Sequence, residues 1–434
     1  MTDTSAPAPA AAPSKGYRIL VMLLLFLVYA FNFLDRQIIS ILAIPIQAEL
    51  DLSDRQLGLL GGLAFAFLYS TLGVPIAWLA DRTNRTWIIT GALAIWSGFT
   101  VLCGYTQNFT QLFLARVGVG IGEAGGVAPS YSLIADYFPP KSRARALAFY
   151  SLGIPIGSAF GVIAGSQIAG GAISDSLDWR AAFIIVGIAG LVLVPIFKLV
   201  VREPARGQLD TVKLDDTVAK PSFGQVLGVL AKKPTFWFLT FGAACSSMMG
   251  YGVFFWLPSF FARSFDLDII QTGWLFGSIL FIGGTAGIVL GGVMSDLFGK
   301  RTVTAYARVP GIAFLLTTPL YIAGVLAPSP ALSVILFLVP TALGLAWLGP
   351  TLSAFQNLVP ASMRTTASSI FLLINNLIGI AGGIYVLGEL STLLAPTFGD
   401  ASLKYSIIIG SMMYLIAGTL FLIAARSIAK DWEG

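Results

Sequence analysis

The chain has no histidine. Any proton transfer near neutral pH therefore falls to carboxylates with displaced pKa values. There are two cysteines, Cys103 and Cys245, and both lie inside apolar runs. Neither a disulfide framework nor a thiolate metal site is expected from them. Charge is scarce too: Asp, Glu, Lys and Arg make up 11% of the 434 residues. Soluble domains carry about 25%. With 56% hydrophobic residues and a mean hydropathy of +0.84, the composition excludes a soluble domain. A membrane-embedded enzyme would need a nucleophile with a base, or a metal cluster, and the missing histidines and Cys/His groupings argue against both. No cofactor and no metal are expected. Residues 1–14 are rich in Ala and Pro and lack the basic and apolar regions of a signal peptide, so they read as a disordered tail.

What the chain does have is apolar runs of about 20 residues, twelve of them, each long enough to cross a bilayer as a helix. Their approximate spans are 17–44, 56–79, 86–105, 112–137, 144–171, 181–200, 235–262, 270–294, 303–325, 332–355, 366–392 and 404–426. The longest connection, 201–234, falls in the middle and is dense in charge. It divides an amino-terminal half, 15–200, from a carboxyl-terminal half, 235–434. The expected fold class is an all-α membrane protein of twelve transmembrane helices in two six-helix halves. Basic residues set the orientation. With both termini in the cytoplasm, the outer loops hold only Arg55, Arg180, Arg263 and Lys404. Arg36 and Arg116 lie within helices, leaving 20 of the 26 Lys and Arg on the cytoplasmic side. The net charge of +5 reflects this bias and gives no reason to invoke nucleic acid.

Two apolar runs carry charge. The fourth holds Arg116 and Glu123, seven residues apart, which puts them within about 20° of one another on a helix. Gly118, Gly122 and Gly126 fall at least about 60° away from both charges, on a face that lets another helix approach closely. Ionisable groups at membrane depth are costly and usually face a bundle interior or a wet cavity, so this helix reads as one wall of a polar cavity. The first run holds Asp35 and Arg36. Being adjacent, they point about 100° apart, and each must find a partner on another helix. Arg36 with Glu123, and Asp35 with Arg116, are chemically plausible pairs. Asn32, Arg36 and Ser40 form a polar stripe at spacing four.

An internal repeat supports the two halves. Ala77, Asp81, Asn84 and Arg85 follow the second run; Gly292, Asp296, Gly299, Lys300 and Arg301 follow the eighth, with the two Asp 215 positions apart. Pro139 to Arg143 matches Pro360 to Arg364, 221 positions apart. Two loops at nearly one offset argue for parallel halves. An Asp at a helix end can accept from a neighbouring helix N-terminus and pair with arginine. Asp81, Arg85, Arg143, Asp296 and Arg301 are therefore candidates for a conformational latch. In the fifth run, Gly153, Gly157, Gly161 and Gly165 form a flat packing stripe, and Pro155 supplies a kink point. The carboxyl-terminal half has no charged pair at depth. Its polar candidates are Ser246, Ser247, Tyr251, Gln356, Asn375 and Asn376, with Glu389 near an outer end. Aromatics and methionines crowd its first helix.

The twelve runs, paired Asp-bearing loops and glycine-rich fifth run resemble the major facilitator superfamily. More narrowly, the chain resembles the spinster branch, a family of sphingosine-1-phosphate and lysophospholipid transporters. The resemblance rests on Asn32 to Arg36, Leu79 to Arg85, Arg116 to Ala124, Ala128 to Phe138, Ile154 to Ser158, Trp179-Arg180 and Arg202 to Gly207. It is dense over 17–206 and looser beyond. It implies that Asp35 and Glu123 carry proton coupling, that Arg36 and Arg116 face an anionic group, and that Asp81 and Arg85 control closed states. Asn32, Tyr251 and Asn375 join the arginines as substrate-binding candidates. The expected activity is proton-coupled transport of an amphipathic lipid or lysolipid by alternating access. The competing reading is broad drug efflux, or transport of a small organic anion or sugar. Short loops suggest a bacterial member; the protein is expected to be a monomer in the inner membrane, surrounded by lipid, with protons and an amphipathic small molecule as its partners.

Overall fold

The computed structural model describes residues 14–433 except 81, 208, 210–221, 300–301 and 361–362. The described membrane-sized runs are helical, with short breaks inside the fourth, fifth and tenth. The helices are α1 (Lys15–Leu50), α2 (Asp54–Ala80), α3 (Arg85–Cys103), α4 (Phe109–Glu123 and Val127–Tyr137), α5 (Pro140–Ser151 and Gly153–Ala169) and α6 (Trp179–Val200). A short linker helix, Phe223–Ala231, precedes the second set. That set comprises α7 (Pro234–Phe265), α8 (Ile269–Ser278 continuing to Gly299), α9 (Ala305–Val325) and α10 (Pro330–Leu345 and Leu348–Asn357). It ends with α11 (Arg364–Asn376 continuing through Gly383–Phe398) and α12 (Ser402–Asp431). Six helices stand in each half, alternating in direction. One end of the molecule carries the termini and the linker. The opposite end is called the far end below.

Side-chain oxygens start many of the helices. Ser14, Ser53, Asn84, Asn108, Asp178, Ser222, Asp268 and Ser329 each accept a backbone N–H from the first turn. These caps satisfy donors the helix leaves unpaired. The fourth run is not one helix, as its hydropathy suggested. It breaks at Ala124, Gly125 and Gly126. Two glycines in succession favour helix weakly, and Pro129 removes an N–H and crowds the carbonyl four residues back. Three helices contain a π-turn, at Leu59–Leu63, Ile279–Gly284 and Leu377–Gly382. Each holds a glycine pair or near pair, and all three lie where the halves meet.

Glycine decides how closely the helices approach. A Cβ on Gly157 would lie 2.1 Å from the Ala30 carbonyl oxygen, and one on Gly161 would lie 2.5 Å from that of Leu34. Gly165 faces Ile38 in the same way. The stripe read from the fifth run is therefore the surface on which α1 lies. Between halves, Gly58 and Gly62 of α2 face the backbone of α11, while Gly273 and Gly277 of α8 face Ser166 and Ile163 of α5.

Candidate functional site

The α5 stripe takes Ala30, Leu34 and Ile38, spaced four apart along α1. Asp35 and Arg36 are rotated from that face by about 100° and 200°, so each looks at a different neighbour. Arg36 turns to α4, where its Nε donates to Glu123 Oε2 at 2.5 Å. Its guanidinium also lies over the rings of Phe33, Phe65 and Tyr69, at 5.0, 4.7 and 4.3 Å from their centroids. Asp35 turns to α3 instead. Its Oδ2 accepts from the Thr100 hydroxyl. Arg116 is close enough to act on Asp35 electrostatically, yet makes no ion pair with it. Its guanidinium sits 5.6 Å from the Phe65 centroid. Of the two pairs that looked plausible, Arg36 with Glu123 forms. Asp35 with Arg116 does not, because adjacent positions on α1 face different helices.

The cluster is enclosed. Glu123 is 0%, Arg116 1% and Asp35 2% exposed, and only Arg36 reaches a surface, at 10% of its side chain. The expected cavity wall is thus closed in this conformation, within the packed interior of the first half. Several polar atoms in it have no hydrogen-bond partner: both amide atoms of Asn32, Asp35 Oδ1, Arg36 Nη2, Arg116 Nε and Nη1, and Glu123 Oε1. Such atoms are costly in a dry interior, and each needs water, a proton or a ligand group. Across the interface, Gln37 of α1 donates to the Phe254 carbonyl of α7 at 2.8 Å, and Tyr251 of α7 lies within electrostatic range of Arg36. Asn375 of α11 is buried and accepts from Ser247 at 2.9 Å, so the structure ties it into its own half.

At the end with the termini, Arg85 is almost wholly buried. It donates to Asp136 of α4 at 2.5 Å, to Ser132 at 2.7 Å and to Glu203, just past α6, at 2.6 Å. Glu203 also accepts from the Thr86 backbone N–H at 3.0 Å. Arg206 donates to the carbonyls of Ala80 and Thr83, at 2.6 and 2.8 Å. Arg143 donates to the Ala135 carbonyl at 2.7 Å. These contacts stay within the first half and its linker. Asp81 and Arg301 lie outside the described residues, as does the side chain of Asp296.

Among the described residues, the ion pairs that join the halves stand at the far end. Arg263 of α7 grips Asp54 at the start of α2 with two bonds of 2.6 and 2.8 Å, and reaches Gln47 of α1 at 2.9 Å. Ser391 of α11 donates to the same carboxylate at 2.7 Å. Arg55 pairs with Glu389 of α11, and its backbone N–H donates to Thr392. A cleft of about 520 Å³ opens beside this network, lined by Gln47, Asp54, Arg263, Ser391 and Ser402 among others. It is remote from the charged cluster. Sequence reading treated Arg55 and Arg263 only as loop charges and missed these pairs. It also passed over Thr100 and the linking role of Glu203. No local pattern joins residues 209 or 334 positions apart.

Comparison with known proteins accounts for this arrangement. Residues 25–383 match the model of the Major Facilitator Superfamily. The chain belongs to that superfamily of transporters. It is 30% identical to an MFS-type efflux pump of Mycolicibacterium smegmatis, over 94% of this chain and 92% of that one. It is 28% identical to protein spinster homolog 1 of Xenopus tropicalis, over 96% of this chain and 82% of that one. Among solved structures, a bacterial homolog of the human lysosomal transporter spinster, inward-facing and unoccupied, superposes with a TM-score of 0.87 at 32% identity. That likeness covers 97% of this transporter and 100% of the other chain. An inward-facing and occupied form superposes with a TM-score of 0.83. The spinster-like transporter is therefore a carrier and not an enzyme.

Proposed function

We propose that this transporter moves an amphipathic lipid or lysolipid with an anionic head, coupled to protons, by alternating access between its halves. One observation carries the reading: two arginines and two carboxylates are buried at membrane depth, with one ion pair made and seven polar atoms of these side chains and of Asn32 short of partners. Such a cluster is expensive, and groups of this kind mark ion or substrate pathways. With Asp35 and Glu123 both ionised, the cluster is neutral. A proton on either carboxylate leaves one uncompensated positive charge. An anionic headgroup on Arg36 or Arg116 restores the balance, and guanidinium suits phosphate through paired N–H donors. In this reading Asn32, one turn before Arg36 on the same helix, Tyr251, within electrostatic range of Arg36, and Asn375 supply further polar contacts to the substrate. The second half offers aromatic and methionine side chains for a hydrocarbon tail.

In this reading the termini lie in the cytoplasm of a bacterial cell, the protein is a monomer in the inner membrane, and the far end is the outer gate. The conformation is then closed to the outside. Asp81, Arg85, Arg143, Asp296 and Arg301 form the cytoplasmic latch in the opposite state. The 30% identity to an efflux pump favours broad drug efflux as the second reading. The test is uptake into proteoliposomes under an imposed pH gradient. Lysophospholipid, a neutral lipid lacking phosphate, a sugar and a hydrophobic cation are supplied side by side. Gradient-dependent movement of the lysophospholipid above the others is expected. Equal handling of neutral and phosphorylated lipids overturns the anion-site reading and favours efflux.

A further inference from the structure

Thr100 of α3 stands within hydrogen-bond distance of two acceptors. Its hydroxyl reaches Asp35 Oδ2 and, at 2.9 Å, the carbonyl oxygen of Trp96 one turn earlier in its own helix. Thr100 and Asp35 are both buried. A hydroxyl carries one proton, so it cannot donate to both acceptors at once, but it can donate to one and accept from the other. Two arrangements fit the same heavy-atom positions. When Asp35 is ionised, Thr100 donates to Oδ2. When Asp35 carries a proton on Oδ2, that proton points to the Thr100 oxygen, and the Thr100 proton turns to the Trp96 carbonyl.

We propose that Thr100 is a positioning residue for proton loading, a two-way relay that holds Asp35 in place in either protonation state. The proposal rests on the reading of Asp35 as a coupling carboxylate and adds the group that serves it. The balance is simple. A proton from water that reaches the cluster forms the O–H bond on Asp35 and returns to water on release; Thr100 keeps its own proton and only rotates. The charged and titratable groups around Asp35 are Arg36 on its own helix, Arg116 and Glu123 on α4, and Cys103 on α3. The two arginines and Glu123 cannot exchange donor and acceptor roles without changing charge or leaving a partner, and the neutral Cys103 thiol, a weak donor and acceptor, makes no hydrogen bond to Asp35. Thr100 can exchange those roles. A threonine that merely bonds back to its own helix is a common alternative, and it would leave Asp35 indifferent to the hydroxyl.

The experiment is an infrared pH titration of the full transporter in lipid, with no substrate required. The carbonyl stretch of protonated Asp35 is assigned by its loss in Asp35→Asn. Thr100→Val keeps the shape and removes the hydroxyl. A hydrogen bond to an ionised acceptor is roughly twice as strong as one to a neutral group, so the variant favours the protonated form. The midpoint of the band is expected to move to higher pH by about one unit, a tenfold change in proton affinity. The band itself should shift as its hydrogen-bond acceptor is lost, and Thr100→Ser should restore both features. A wild-type midpoint in Thr100→Val overturns the relay while leaving Asp35 as the titrating group. Absence of any band that Asp35→Asn removes overturns the coupling reading, and the relay with it. Should the valine variant fail to insert, Thr100→Ala carries the same comparison.

Discussion

Asp54→Asn tests the far-end seal directly. The native carboxylate takes two bonds from Arg263, one from Ser391 and one from Gln47. Asparagine keeps the shape but loses the charge and one acceptor. Breaking a fully buried ion pair costs about 3–5 kcal/mol, and an exposed pair is worth about 0.2–1 kcal/mol. Arg263 is 23% and Asp54 9% exposed, which places this bidentate pair between those limits, at about 2 kcal/mol. Because the pair joins the halves, its loss falls on the sealed state and hardly on the open one. At about 1.4 kcal/mol per tenfold, the ratio of sealed to open molecules should drop roughly thirty-fold. The neighbouring Arg55–Glu389 pair is more exposed and contributes less. Spin labels at Gln107 and Pro328, in far-end loops of opposite halves, report the change once Cys103 and Cys245 are replaced. Pulsed electron paramagnetic resonance should show a longer distance gaining population in Asp54→Asn, and the double exchange Asp54→Arg with Arg263→Asp should reverse it in part. An unchanged distribution in Asp54→Asn refutes the seal and reduces the network to surface decoration.

Glu123→Gln should abolish accumulation driven by a pH gradient while leaving a folded, inserted protein; full gradient-driven uptake by that variant removes Glu123 from coupling. Arg36→Lys should weaken transport of a phosphorylated lipid by about tenfold although charge is kept, because lysine cannot make a bidentate contact, or stack its head on Tyr69 as guanidinium does. Dose-dependent uptake checks it, and wild-type affinity in the lysine variant counts against the anion site. Gly157→Ala should lower the unfolding midpoint in detergent, since its Cβ would press on the Ala30 carbonyl, which helix backbone cannot move aside cheaply. An unaltered melting curve would mean that α1 and α5 do not depend on this contact.

Much of the architecture was legible in the sequence because it depends on local properties. Run length and hydropathy determine a membrane helix wherever it sits, and charge counts bias its direction. The matched offsets of 215 and 221 positions made the two halves visible before any contact was known. The α5 stripe was readable because spacing four places glycines on one face of any helix. Even the break in α4 had its signal in Gly125, Gly126 and Pro129, though the unbroken hydropathy concealed it. Pairing was different. Asp35 and Arg36 announced two charges at depth, yet nothing local said which would meet Glu123 and which would meet Thr100. That outcome depends on how α1 is rotated, and α5 sets the rotation by holding Ala30, Leu34 and Ile38 against its glycines. Enclosure of the cluster, the grip of Glu203 on Arg85 and the Arg263–Asp54 seal likewise exist only once helices far apart in sequence pack together. A side chain's partner is a property of neighbouring helices and their angles. The identity and depth of its charge are properties of its own.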